Sequence, residues 1–366
     1  MVARVRRKLA PAARTVKRGP VDRRFSTVDS FKRIAISVLK FSLPVLVIGW
    51  LLSNISTQEW QQISARPKQW GRLTLAFVLV LGGVGGTCVR WFFLVRTLGL
   101  PFRVRDALRL GFLGYLLNFV SVGAVGGDLF KAVFIAREQS NRRAKAVASV
   151  IADRVIGLYA LLLLGSGAIL MGDVLTRSDE IKLIGQVTLS ITAIGAILGL
   201  LFALLTVEKF TAPLGWLPLN IGRMVLRLVE SLALYRHKPG SVSAALGISL
   251  VTHTMFVSAL FLVASGILKV APSLGEHFVL GPLAMVAGAV PLMPAGLGAL
   301  EFALDLLYVE VPTPGLAQGR GVLVALGYRL ITIGVAGVGI VIYWVSKREV
   351  RQLLDTEQRA QVDGQM

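Results

Sequence analysis

The stretch Val122-Gly123-Ala124-Val125-Gly126-Gly127-Asp128 breaks an apolar region running from Ala107 to Ala136. It sets three glycines and a carboxylate among residues suited to hydrocarbon. A carboxylate at that depth costs at least ~2.5 kcal/mol on insertion scales, so it needs a partner or a water-filled cavity. Broken backbone inside a bilayer must likewise be lined by protein. The stretch predicts an internal site in a membrane protein.

The rest of the chain agrees. Of 366 residues, 54% are apolar and 16% charged, a balance outside that of water-soluble domains. Apolar stretches cover Ile34–Leu52, Leu73–Val95, Leu108–Val125, Val147–Met171, Ile181–Val207, Val242–Leu268, Phe278–Leu307 and Val322–Val345. Most reach the roughly 20 residues a spanning helix needs. Ile34–Leu52 reads as a retained span, because no small-residue cleavage site accompanies it. The single cysteine, Cys88, excludes an intrachain disulfide and reads as packing.

The net charge of +20 is concentrated in a few places. Met1–Arg33 holds eleven Lys/Arg against Asp22 and Asp29. Next to a span, such a tail fits anionic headgroups better than nucleic acid. The positive-inside rule then puts the N-terminus in the cytoplasm and Ser53–Gly71 outside. Arg96, Arg103, Arg105 and Arg109 mark the next connection as inside. If Leu108–Val125 crossed the bilayer, Lys131, Arg137, Arg142, Arg143 and Lys145 would lie outside. The acidic loop Gly172–Glu180 would lie inside, so both assignments would invert the rule. A re-entrant segment repairs both, and Gly123, Gly126 and Gly127 give the reversal its backbone freedom. A second break, Pro291-Leu292-Met293-Pro294-Ala295-Gly296-Leu297-Gly298, interrupts Phe278–Leu307. Re-entry there from the outside returns Lys347, Arg348 and Arg351 to the inside. Leu219–Leu234 has the spacing of an interfacial amphipathic helix.

The expected fold is an all-α integral membrane protein with about six full transmembrane helices and two oppositely oriented re-entrant hairpins. Eight full spans is the alternative, and it also leaves both termini inside. The expected organisation is a basic cytoplasmic tail at 1–33, a membrane domain at 34–345 and a short cytoplasmic tail at 346–366.

The ionisable residues inside the apolar segments form a pattern. Asp128 lies on the first broken segment, with Asp153-Arg154 about one helix later. Glu301 lies on the second, with Arg329 at nearly the same separation. One reading makes Asp128–Arg154 and Glu301–Arg329 buried pairs that pin the hairpins. The other makes a polar cavity whose arginines hold an anionic headgroup, since a guanidinium gives phosphate two parallel hydrogen bonds. Lys131 reads as an entrance cation or as a snorkelling interface lysine. Gly82/Gly86 and Gly195/Gly199 offer small-residue packing faces.

Enzyme signatures are scarce. His237, His253 and His277 lack metal-ligand spacing, and neither a nucleophile elbow nor a Walker A loop occurs. No cofactor or metal is expected.

Arg90-Trp91, Gly126-Gly127-Asp128, Ser149-Val150-Ile151-Ala152-Asp153-Arg154, Pro294-Ala295-Gly296-Leu297-Gly298-Ala299-Leu300-Glu301 and Tyr328-Arg329 occur in that order. The ordered set resembles the flippase-like transmembrane domain of the lysylphosphatidylglycerol synthases and their stand-alone relatives, over roughly Ile34–Val345. The resemblance implies a multi-pass protein of the cell inner (plasma) membrane that flips a polar lipid or lipid-linked precursor, anionic or aminoacylated, between leaflets. Carried over by position, its motif residues are Arg90, Gly126, Gly127, Asp128, Arg154, Pro294, Gly296, Gly298, Glu301 and Arg329, beside Lys131 and Asp153 from the charge pattern. Relatives often carry Pro-Gly-Arg where Val122-Gly123-Ala124 stands here, so one headgroup cation of that pattern is absent. The synthase members add a soluble transfer domain. Only 346–366 follows Val345 here, so lysyl transfer is not expected. The alternative is a membrane component of a glycosyl or aminoacyl transfer system. Membrane lipids are the expected partners, nucleic acid is not, and a second copy or a lipid-modifying enzyme is compatible with the chain.

Overall fold

A computed structural model describes residues 49, 53, 67–120, 126–172, 179–204, 219–289, 298–310 and 319–363, all within the unit Lys40–Met366. The first expected span, apart from residue 49, and both glycine/proline breaks up to Gly126 and Gly298 lie outside the described residues. The helices are α1 (Trp70–Thr97), α2 (Val104–Val120), α3 (Gly126–Glu138), α4 (Arg143–Met171) and α5 (Asp179–Leu204), followed by α6 (Leu219–Ala233), α7 (Pro239–Ile267), α8 (Leu274–Ala289), α9 (Ala299–Val309) and α10 (Arg320–Asp363). Among the described residues there is no strand, so the protein is an all-α membrane protein. Among the described residues, five helices are long and apolar enough to cross a bilayer: α1, α4, Lys182–Leu204 of α5, α7 and Arg320–Ile342 of α10. Leu183, Ile194, Leu198 and Leu204 of α5 are exposed, as a lipid-facing helix requires. The α6 helix exposes Arg227 and Glu230 while Ser231 and Ala233 are buried, the two-sided character expected of an amphipathic helix.

The helices α2, α3, α8 and α9 are shorter than a span. α2 packs on α3, and α8 packs on α9. Hydrogen bonds locate their outer ends. Gln139, just after α3, donates its side-chain N–H to the Pro101 carbonyl before α2 at 3.2 Å, and Arg142 reaches Gly99 O at 3.1 Å. Tyr235, between α6 and α7, donates to Leu94 O near the end of α1 at 2.9 Å. The α1–α2, α3–α4 and α6–α7 connections therefore share one end of the molecule. They carry Arg96, Arg103, Arg105, Arg142, Arg143, Arg236 and Lys238.

At the opposite end, Gln69 N–H donates to Gly266 O at 3.3 Å and joins the start of α1 to the end of α7. His277 in the first turns of α8 donates through Nδ1 to Ser273 O, and its Nε2 accepts from the Tyr308 hydroxyl near the end of α9 at 2.7 Å. Asp305 on α9 accepts backbone N–H groups of Gly319, Gly321 and Val322. It caps the start of α10, where orphan donors and the helix dipole favour a carboxylate. The outer ends of the α2–α3 pair and of the α8–α9 pair thus lie at opposite ends of the described helices.

The packing repeats. α1 touches α2 and α4, as α7 touches α8 and α10; α2 packs on α10, as α8 packs on α4. α1 and α7 meet along the axis of this pseudo-symmetry. Their approach is close because Gly82, Gly83 and Gly86 leave room for Met255, Phe256 and Thr252; a Cβ at any of these glycines would collide. In lipid, such van der Waals packing replaces the hydrophobic drive between helices. Gly195 packs on Tyr159 in the same manner, whereas Gly199 faces open space.

Candidate functional site

α3 begins at Gly126, and its second residue shows why glycine stands there. A Cβ on Gly127 would run into the Gly114 carbonyl of α2, while Gly127 N–H donates to Asn118 Oδ1 at 2.8 Å. This contact sets Asp128 at the third position of α3. There a carboxylate gains from the positive helix end. Glu301 occupies the same third position of α9. Its Oε2 accepts the N–H of Gly298, whose φ of 85° favours glycine. The N-cap hydrogen bond thus aims the other carboxylate oxygen inward.

Glu301 is fully buried and pairs with Arg329 as expected: Oε1 accepts from Nη2 at 2.7 Å and from Nε at 3.0 Å. The corresponding pair in the other half is different. Asp128 makes its short ion pair with Lys131 at 2.9 Å, and Arg154 Nη1 stands 3.5 Å from Asp128 Oδ2. Arg154 donates its Nη2 instead to Ala289 O, at the end of α8, at 2.8 Å. The Asp128–Arg154 pair is therefore present, but Asp128 shares its carboxylate with Lys131, which takes the shorter contact. Lys131, one turn away on the same helix, reaches Asp128 without ordering a second element.

Lys131 is not a snorkelling interface lysine. Its side chain is 14% exposed, it lies 3.9 Å from Asp153 Oδ2, and its ammonium sits 5.4 Å from the Trp91 ring centroid. Asp153 in turn holds Arg90, whose Nε donates to Oδ1 at 2.7 Å and whose Nη1 donates to Ser249 Oγ at 2.9 Å. Gly157, one turn beyond Asp153, leaves space for the Arg90 guanidinium. Arg90, Asp153, Lys131, Asp128 and Arg154 form one chain of alternating charge. In low dielectric such a chain sets each buried charge beside one of opposite sign.

These groups line a cavity of about 350 Å³ between the two halves. Its wall includes Arg90, Asp128, Lys131, Asp153, Arg154 and Arg329. Glu301 lies behind it, Gly126, Gly127 and Gly298 shape the helix starts, and Pro294 and Gly296 lie outside the described residues. Ser249 and His253 were not singled out by motif. Ser249 receives Arg90, and His253 Nε2 donates to Gly157 O at 2.9 Å, so α7 braces α4 beside the cavity. Their i, i+4 spacing on one face was the available signal. Asn118 and Thr332 also reach the wall, and ordinary polar residues of that kind carry little signal alone.

The helices of the described residues and a charged cavity among them define a multi-pass membrane protein with an internal polar site. The family model described as the lysylphosphatidylglycerol synthase TM region matches residues 33–351, and the chain belongs to that family. The family points to a role in membrane lipid biology. A comparison with curated proteins finds no match.

Proposed function

We propose that this protein moves a polar lipid or lipid-linked precursor between membrane leaflets, its headgroup passing through the cavity while its tails stay in the bilayer. The carrying observation is the position of that cavity: α1, α3, α4 and α10 supply the charges of its wall, and Glu301 at the start of α9 holds Arg329 from behind. A volume of about 350 Å³ lies within the range of small-molecule sites. In this reading both hairpins are re-entrant. The end bearing Arg103, Arg142 and Arg236 faces the cytoplasm of a plasma membrane, as the positive-inside rule requires, and both termini lie there. Rocking of the two halves about the α1–α7 contact exposes the cavity to each leaflet in turn, as inverted repeats allow. The test is purified protein in liposomes with a lipid labelled at its headgroup. Wild type is expected to speed translocation, and Arg154→Ala to slow it toward the protein-free rate. Equal rates with and without protein contradict the proposal.

A further inference from the structure

The cavity's cations are not equivalent. Arg90, Lys131 and Arg329 each hold a carboxylate at 2.7–2.9 Å and keep side-chain exposures of 6%, 14% and 12%. Arg154 is 35% exposed and meets its carboxylate at 3.5 Å, with a neutral carbonyl as its nearest partner. Among the described residues at the site, four cations face three carboxylates, Asp128, Asp153 and Glu301. The undescribed breaks 121–125 and 290–297 contain no ionisable side chain. One positive charge is therefore in excess, and it resides on Arg154.

We infer that the site is built for a lipid carrying a single net negative charge, a phosphodiester, whose phosphate takes Arg154 from Asp128 and the Ala289 carbonyl. This rests on the lipid-transport reading and narrows it. The planar guanidinium fork matches two phosphate oxygens, a stronger arrangement than one long ion pair and one neutral acceptor. A second negative charge finds every other cation engaged and must break a short buried ion pair to gain a partner. A lipid of net positive charge, such as an aminoacylated one, meets an excess of like charge. Because Arg154 touches Asp128 of one hairpin and Ala289 of the other, the same exchange detaches α4 from the end of α8. Ligand occupancy is thereby passed to both hairpins.

The experiment measures calorimetric binding to the purified full chain in neutral detergent. The probes are dihexanoyl-phosphatidylglycerol, dihexanoyl-phosphatidylcholine and dihexanoyl-phosphatidic acid, the last in mildly alkaline buffer where it carries two negative charges. Dimethyl phosphate is the tail-free control. The singly charged lipid is expected to bind roughly tenfold tighter than the zwitterion, the scale of one charge-assisted contact, and the second charge is expected to add nothing. Arg154→Gln removes the difference between singly charged lipid and zwitterion. Asp128→Asn, which frees a second cation, shifts preference to the doubly charged lipid and tests the charge balance even if Arg154→Gln fails to fold. Equal binding of all three lipids, or wild-type selectivity in Asp128→Asn, overturns the inference. Dimethyl phosphate binding as tightly as the singly charged lipid overturns its lipid half. Charge-selective binding without translocation supports this site and defeats the transport reading. Translocation without charge preference defeats this site and leaves transport standing.

Discussion

The two carboxylates at equivalent helix positions carry different burdens. Glu301 is sealed in the wall, and its two oxygens hold Gly298 and Arg329. Removing one member of such a pair leaves a buried uncompensated charge, which costs about 3–5 kcal/mol. Glu301→Gln is expected to lower the thermal midpoint in detergent strongly, whereas Glu301→Leu with Arg329→Met recovers much of it. A midpoint for Glu301→Gln equal to wild type would show that the pair is open to water. The Glu301–Arg329 pairing was legible in the sequence because one helix length separates the two residues, and the fold carries α9 directly into α10. The Arg90–Asp153 bond was not, because it joins α1 to α4 and no spacing encodes that approach. The sequence left Lys131 open between two readings for a related reason. A lysine one turn from an acid looks the same in sequence whether it leaves toward water or turns over Trp91.

At the scale of elements, glycine positions decide how the helices meet. Gly127→Ala places a Cβ against the Gly114 carbonyl, so α2 and α3 must separate. Overpacking of this kind costs typically ~1–3 kcal/mol, and melting should register it. Gly199→Ala meets nothing within 4 Å and serves as the neutral control, expected to match or slightly exceed wild type. Asp305→Ala removes the carboxylate that caps α10 and should cost about 1 kcal/mol, the usual loss for an N-cap, in the same assay. The separation of α2 from α3 and of α8 from α9 was legible as breaks in apolar segments. Their tight approach was not, since Gly114 lies thirteen residues before Gly127 and reads as any other glycine in an apolar helix.

For the whole molecule, pseudo-symmetric packing places three basic connections at one end and the second hairpin's outer ends at the other. In a Cys88→Ser background, Gln139→Cys and Ser273→Cys are expected to react with a membrane-impermeant thiol reagent from opposite sides of intact cells. Gln139→Cys should share its side with Arg103→Cys. An α2 that crosses the bilayer, as in the eight-span alternative, would put Gln139→Cys and Arg103→Cys on different sides.

The central claim is that the cavity between the two hairpins carries a lipid headgroup through Arg154. Its most direct test is translocation of a headgroup-labelled, singly charged phospholipid in liposomes containing wild type, Arg154→Gln or Gly199→Ala. Wild type and Gly199→Ala are predicted to speed translocation equally, with Arg154→Gln falling to the protein-free rate. An Arg154→Gln protein that reconstitutes normally and translocates at the wild-type rate would contradict the account.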